Sequence, residues 1–138
     1  MDQDLRLFLI RHGAIVALLG ALSGLGYMFV ITGDMPGSMS AWHLAHLQGI
    51  LTGILILAGS SFIDYLKLSL KLRRIISYLF VITGYCYSIG PAWGAVFNVR
   101  GIEPALPITN FVMFISNTVA SIAVVAGLGI TICGSRKR

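Results

Sequence analysis

The chain has 138 residues, of which 57% are hydrophobic and 11% charged, with a mean hydropathy of +0.87. A soluble domain carries about 25% charged residues, and one of this size hides only about 60–70% of its unfolded surface, so an ordinary soluble fold is excluded. Disorder is excluded as well, because it requires low hydrophobicity and high charge. The net charge of +5 falls in clusters rather than on one basic face interleaved with aromatics, which argues against nucleic acid. The composition is that of a membrane protein.

Charged residues cut the chain into four apolar spans. Between His12 and Asp34 lie 21 residues without a charge or a histidine, and between Asp34 and Asp64 lie 29, interrupted by His43 and His46. Between Arg74 and Arg100 lie 25, and between Glu103 and Arg136 lie 32. A bilayer-spanning helix needs about 20 apolar residues. The spans predict an all-α, single-domain bundle of four transmembrane helices near 9–31, 41–64, 73–98 and 106–132. Barrel strands are excluded, since the runs lack a ten-residue alternation.

The breakers agree with this division. Gly33-Asp34-Met35-Pro36-Gly37-Ser38 reads as a turn with Ser40 as N-cap of the second helix. Lys67 to Arg74 reads as an interfacial turn with snorkelling lysines, and Arg100-Gly101 with Pro104 and Pro107 as the loop before the fourth helix. Nine of the ten basic residues lie before the first helix, between the second and third, or after the fourth; Arg100 alone lies opposite. The positive-inside rule then places both termini in the cytoplasm. Met1 to Gly13 does not read as a signal peptide. Cys86 and Cys133 lie inside apolar runs and read as small core fillers.

Polar groups inside lipid are costly and mark sites or interhelical bonds. In the second helix, His43 and His46 are three apart, about 60° around the axis. They cannot both be axial ligands of one haem. Either one of them is a metal ligand, or both sit at headgroup level beside Trp42. His46, Gly49 and Gly53 form one stripe. Small residues below a histidine leave room for a flat macrocycle; equally, they let two helices approach closely, the reading preferred for Gly20/Gly24 and Gly90/Gly94. Gln48 and Thr52 form a second stripe that can bond a neighbouring helix or each other. Tyr85 and Tyr87 lie too deep in the third helix for an aromatic belt and are either site residues or structural hydrogen bonders. Asn110, Phe114, Asn117 and Ser121 make a polar stripe expected to face the bundle. Asp64 and Glu103 read as solvated. No paired carboxylates, Ser-His-Asp set, phosphate loop or zinc pattern occurs.

The segment His46-Leu47-Gln48-Gly49-Ile50-Leu51-Thr52-Gly53 resembles the second-helix motif of the hydroxylaminobenzene mutases, roughly His-Leu-Glu-Gly-x-x-Asn-Gly, and of the related styrene oxide isomerases. Arg11-His12-Gly13, Ser23-Gly24, Gly84-Tyr85-Cys86-Tyr87 and Trp93-Gly94 are similar to other parts of that group. The resemblance implies a membrane isomerase, a trimer holding haem b between subunits, in the cytoplasmic membrane of a bacterium. It assigns the iron ligand to His46; Gln48, Gly49 and Gly53 of the same motif are expected around the cofactor, and so is His43, which has no counterpart in the family. Thr52 stands where the family has asparagine, Gln48 where the mutases have glutamate, and Pro91 near the position of the epoxide isomerases' tyrosine.

On that footing the expected activity is an intramolecular rearrangement of a small aromatic hydroxylamine or aryl epoxide, with ferric haem as Lewis acid. Thr52, Tyr85, Tyr87 and Asn117 would orient the oxygen, and Trp93, Phe97 and Phe114 would hold the ring. Two other readings stand beside it: a haem-carrying electron-transfer subunit, and a cofactor-free scaffold.

Overall fold

A computed structural model describes residues 3–136. It is all helical among those residues: α1 (Gln3–Thr32), α2 (Met39–Phe62) with a 3-10 turn at Ile63–Tyr65, α3 (Leu70–Phe97) and α4 (Ile108–Ser135). All four helices are long and apolar enough to cross a membrane, and the protein is a multi-pass membrane protein. Lys137 and Arg138 of the C-terminal basic cluster lie outside the described residues.

Helix α1 begins six residues before the span the charges mark, and α3 three before. Hydropathy reports where lipid is, whereas arginine and lysine are good helix formers, so the helices run on into the interface. Lys71, Arg73 and Arg74 therefore belong to the first turns of α3, which Ser69 caps by accepting from the Leu72 amide. Ser38, not Ser40, caps α2: its backbone is extended (φ −90°, ψ 116°) and its hydroxyl accepts from the Ala41 amide at 3.4 Å. Ser40 is already helical, and its Oγ instead meets Ser38 Oγ at 2.9 Å. Asp64 is not simply solvated. The 3-10 turn brings it to Arg73, Nη1 to Oδ1 at 3.5 Å, while Arg73 Nη2 donates to the Leu66 carbonyl at 2.8 Å. Cys133 is exposed on α4 rather than filling a core.

The helices alternate in direction. Gly13 faces Leu57, Gly20 faces Ile50 and Gly26 faces Trp42, an antiparallel register between α1 and α2. Gly84 meets Ile56, and Gly59 meets Phe80, between α2 and α3. Gly90 meets Ser116 and Gly127 meets Phe80, between α3 and α4. The start of α1, the α2–α3 connection and the end of α4 consequently share one end of the bundle, where Lys67 N–H donates to the Gly134 carbonyl at 2.9 Å. Helices α1, α2 and α3 pack mutually, with Leu9, Val16, Ile56, Ile76 and Phe80 as their core, while α4 packs chiefly along α3. The outer faces of α1 and α4 stay apolar and exposed, at Leu18, Leu22, Leu25, Ile122 and Val125, as surface meeting lipid requires.

Candidate functional site

His46 sits half-buried at the α1–α2 seam. Its Nδ1 lies 2.9 Å from the carbonyl oxygen of Gly20. A carbonyl can only accept, so Nδ1 carries the proton and donates. In the neutral ring, Nε2 is left with its lone pair and, among the described residues, without a protein partner. The ring fits because Gly24 lacks a side chain: a Cβ there would stand 2.7 Å from Nδ1 and 2.9 Å from Cε1.

This donor chemistry fits an axial ligand of haem. Ligating histidines commonly give their other N–H to a backbone carbonyl, which sets tautomer and ring orientation. Among the described residues no group of three or more His, Cys, Asp or Glu could hold a bare ion. The neighbouring glycines contribute differently. A Cβ on Gly49 would lie 2.5 Å from Gly20 Cα, and one on Gly53 2.5 Å from the Ala17 amide nitrogen. The space beside both glycines is taken by α1, which is the close-approach reading of the stripe.

The other expected site residues are dispersed. His43 is exposed and stacks on Tyr27, with ring centroids 5.1 Å apart. It borders a cavity of about 610 Å³ shared with Leu47, Pro91, Arg100 and Met113. Pro91 brings no hydroxyl to that cavity. Thr52 turns back on its own helix, donating to the Gln48 carbonyl at 2.6 Å, and Gln48 Oε1 is buried without a partner. Tyr85 pairs its hydroxyl with His12 Nδ1 at 2.9 Å, across α1 and α3. Tyr87 pairs with Ser121 at 2.7 Å, and Asn117 Nδ2 donates to the Gly101 carbonyl at 3.5 Å. Of the polar stripe of α4, Asn110, Phe114 and Asn117 are half-buried and Ser121 is exposed. Asn110 Oδ1 accepts from the Gly101 amide at 2.8 Å, and Nδ2 donates to the carbonyls of Glu103 and Ala105.

Trp93 and Phe97 pack at 4.5 Å and wall a groove between α1 and α3 of about 450 Å³, with Leu19, Trp42 and Ser88. Phe114 is not among its lining residues. On α1 the groove residues Leu19, Leu22 and Ser23 lie roughly 110° around the axis from Gly20, Gly24 and Tyr27, which face the histidines. Imidazole and aromatic groove are thus on different sides of α1. A serine in an apolar helix ordinarily bonds its own preceding turn, so nothing in the sequence sets Ser88 apart.

The fold and site define a multi-pass helical membrane protein with an imidazole oriented by a backbone carbonyl at the seam between its first two helices. The family model for styrene oxide isomerase matches residues 5–136, nearly the whole chain. The chain belongs to the styrene oxide isomerase family, and its activity is that of an isomerase. No curated protein matches it as a close relative.

Proposed function

We propose that the protein rearranges a small, membrane-soluble aromatic epoxide or N-hydroxylamine within one molecule, with haem b held by His46 Nε2. The observation that carries this reading is the hydrogen bond from His46 Nδ1 to the Gly20 carbonyl, which leaves Nε2 as the ring's only lone-pair donor. When bound, a ferric haem supplies a Lewis-acidic position for the substrate oxygen. Everything else falls to the chain. The Gly20 carbonyl holds the ring in one tautomer, and Gly24 leaves it space. The lipid-facing surface lets an apolar substrate arrive without crossing water, and the apolar surroundings exclude the water that would otherwise open an epoxide to a diol. An isomerisation consumes no cosubstrate, which accords with the lack of any nucleotide-binding motif in the sequence.

The half-buried position of His46 at a two-helix seam supports a cofactor shared with a neighbouring copy, and we place it in a homotrimer in the cytoplasmic membrane of a bacterium. An electron-transfer subunit would ordinarily bring a second imidazole; here His12 lies about 18 Å along α1 from Gly24, which seats the His46 ring, and His43 stacks on Tyr27.

Absorption spectroscopy of the protein purified in detergent tests the reading. The expected result is a Soret band that His46→Ala abolishes while helicity is retained. A folded, colourless wild-type protein overturns the haem assignment. Styrene oxide and phenylhydroxylamine, supplied in turn, should yield a product of unchanged mass from one of them.

A further inference from the structure

Among the described residues, five polar side chains are buried in the bundle: Ser23, Ser60, Ser77, Thr83 and Ser88. Four of them donate to a carbonyl of their own preceding turn: Ser23 to Leu19, Ser60 to Leu57, Ser77 to Arg73 and Thr83 to Leu79. Ser88 is the exception. It is 2% exposed, and its Oγ has no partner. An unsatisfied hydroxyl in an apolar interior is costly, and its neighbour across the seam is Gly49, which offers no side chain to bond. Ser88 also lines the groove between α1 and α3, whose walls include Trp42, Trp93 and Phe97. Trp93 is fixed there by its indole N–H, which donates to the Thr109 carbonyl at 3.1 Å.

We infer that this groove is a binding site, reached from the lipid, for a small aromatic molecule bearing one hydrogen-bond-accepting oxygen, with Ser88 Oγ as the donor. The volume of about 450 Å³ lies in the range of small-molecule sites, about 300–1,000 Å³. The aromatic walls suit an aryl ring. The hydroxyl suits an ether or carbonyl oxygen; because Oγ is held by nothing, turning χ1 toward a ligand breaks no bond. The inference shares its ligand class with the isomerase reading but not its chemistry, since the groove residues of α1 lie roughly 110° around its axis from those that face His46.

The protein has two tryptophans, and both line the groove, so intrinsic fluorescence reports occupancy directly. The probes are benzyl methyl ether and its near-isostere n-propylbenzene, neither of which an isomerase can rearrange. They are titrated against the full chain in phosphatidylcholine vesicles, with concentrations corrected for partition into the lipid. Wild-type protein should bind the ether about fivefold more tightly than the hydrocarbon, the worth of roughly one neutral hydrogen bond. Ser88→Ala should erase that preference while leaving thermal stability unchanged or raised, since the lost hydroxyl had no partner in the fold. Equal affinity for both probes in wild type, a preference that survives Ser88→Ala, or no fluorescence change with either overturns the inference. The wild-type comparison stands by itself if the variant does not fold. A missing Soret band would leave this result untouched, and failure here would leave the His46 assignment untouched.

Discussion

The α1–α2 seam and the α3–α4 seam join helices of similar length by different means. Along the first, glycine lets backbone meet backbone: Gly20 lies against Gly49 and Ile50, and Gly53 against Ala17. Along the second, side chains reach across. Ser116 donates to the Cys86 carbonyl at 2.9 Å, Tyr87 pairs with Ser121, and Asn110 gathers the preceding loop through three bonds. Lipid tails are as apolar as leucine, so neither seam is closed by the hydrophobic effect; close packing holds one, and polar bonds add to the other. Packing of backbone on backbone tolerates no added volume. A set of separate polar bonds tolerates loss one member at a time. His46, with Nδ1 bonded to the Gly20 carbonyl, lies on the close-packed seam.

This contrast can be broken most severely at Gly49. Gly49→Ala should destabilise the bundle by about 3 kcal/mol, the upper range for overpacking, because the added carbon meets Gly20 backbone rather than a movable side chain. Gly129→Ala on α4 is the matched control, since nothing lies within 4 Å of that position; it should be neutral or stabilising by up to about 1 kcal/mol. Unfolding in mixed detergent and SDS, followed by circular dichroism, reads both, and equal behaviour would erase the distinction between volume-limited and open positions. Asn110→Ala comes next, with a loss of about 2 kcal/mol by the same assay, since it strands the amide of the buried Gly101 and unties the loop from α4. The smallest effect belongs to Tyr87→Phe, which removes one interhelical bond worth about 0.6 kcal/mol. A loss there as large as at Gly49 would mean that the polar seam is the rigid one.

Much of the fold is legible in the order of the residues alone. Gaps between charges locate four helices, because an ionised group in hydrocarbon costs several kcal/mol and lipid-exposed backbone must close its bonds locally. The helix ends are less legible. Lys71, Arg73 and Arg74 look like a turn, yet a basic residue at an interface suits the first turns of a helix as well as a loop. At the site, the resemblance points to His46, and the fold supplies the Gly20 carbonyl that defines its tautomer. Tyr85, Tyr87, Thr52 and Asn117 have the right chemistry on paper, but each has a structural bond in the fold, and their bonds run to four different places.

By itself, then, the sequence determined how many times the chain crosses the membrane, which connections carry the positive charge, and which side chains are polar enough to need a partner. Hydration cost is local, and each residue announces it independently of its neighbours. Only the tertiary structure decided who the partners are: that Gly49 seats α1, that His12 occupies Tyr85, that His46 keeps one nitrogen free, and that Ser88 alone among the described buried hydroxyls has none. Those outcomes depend on the rotation and register of one helix against another, set by the fit of many small surfaces at once, which no single stretch of sequence encodes.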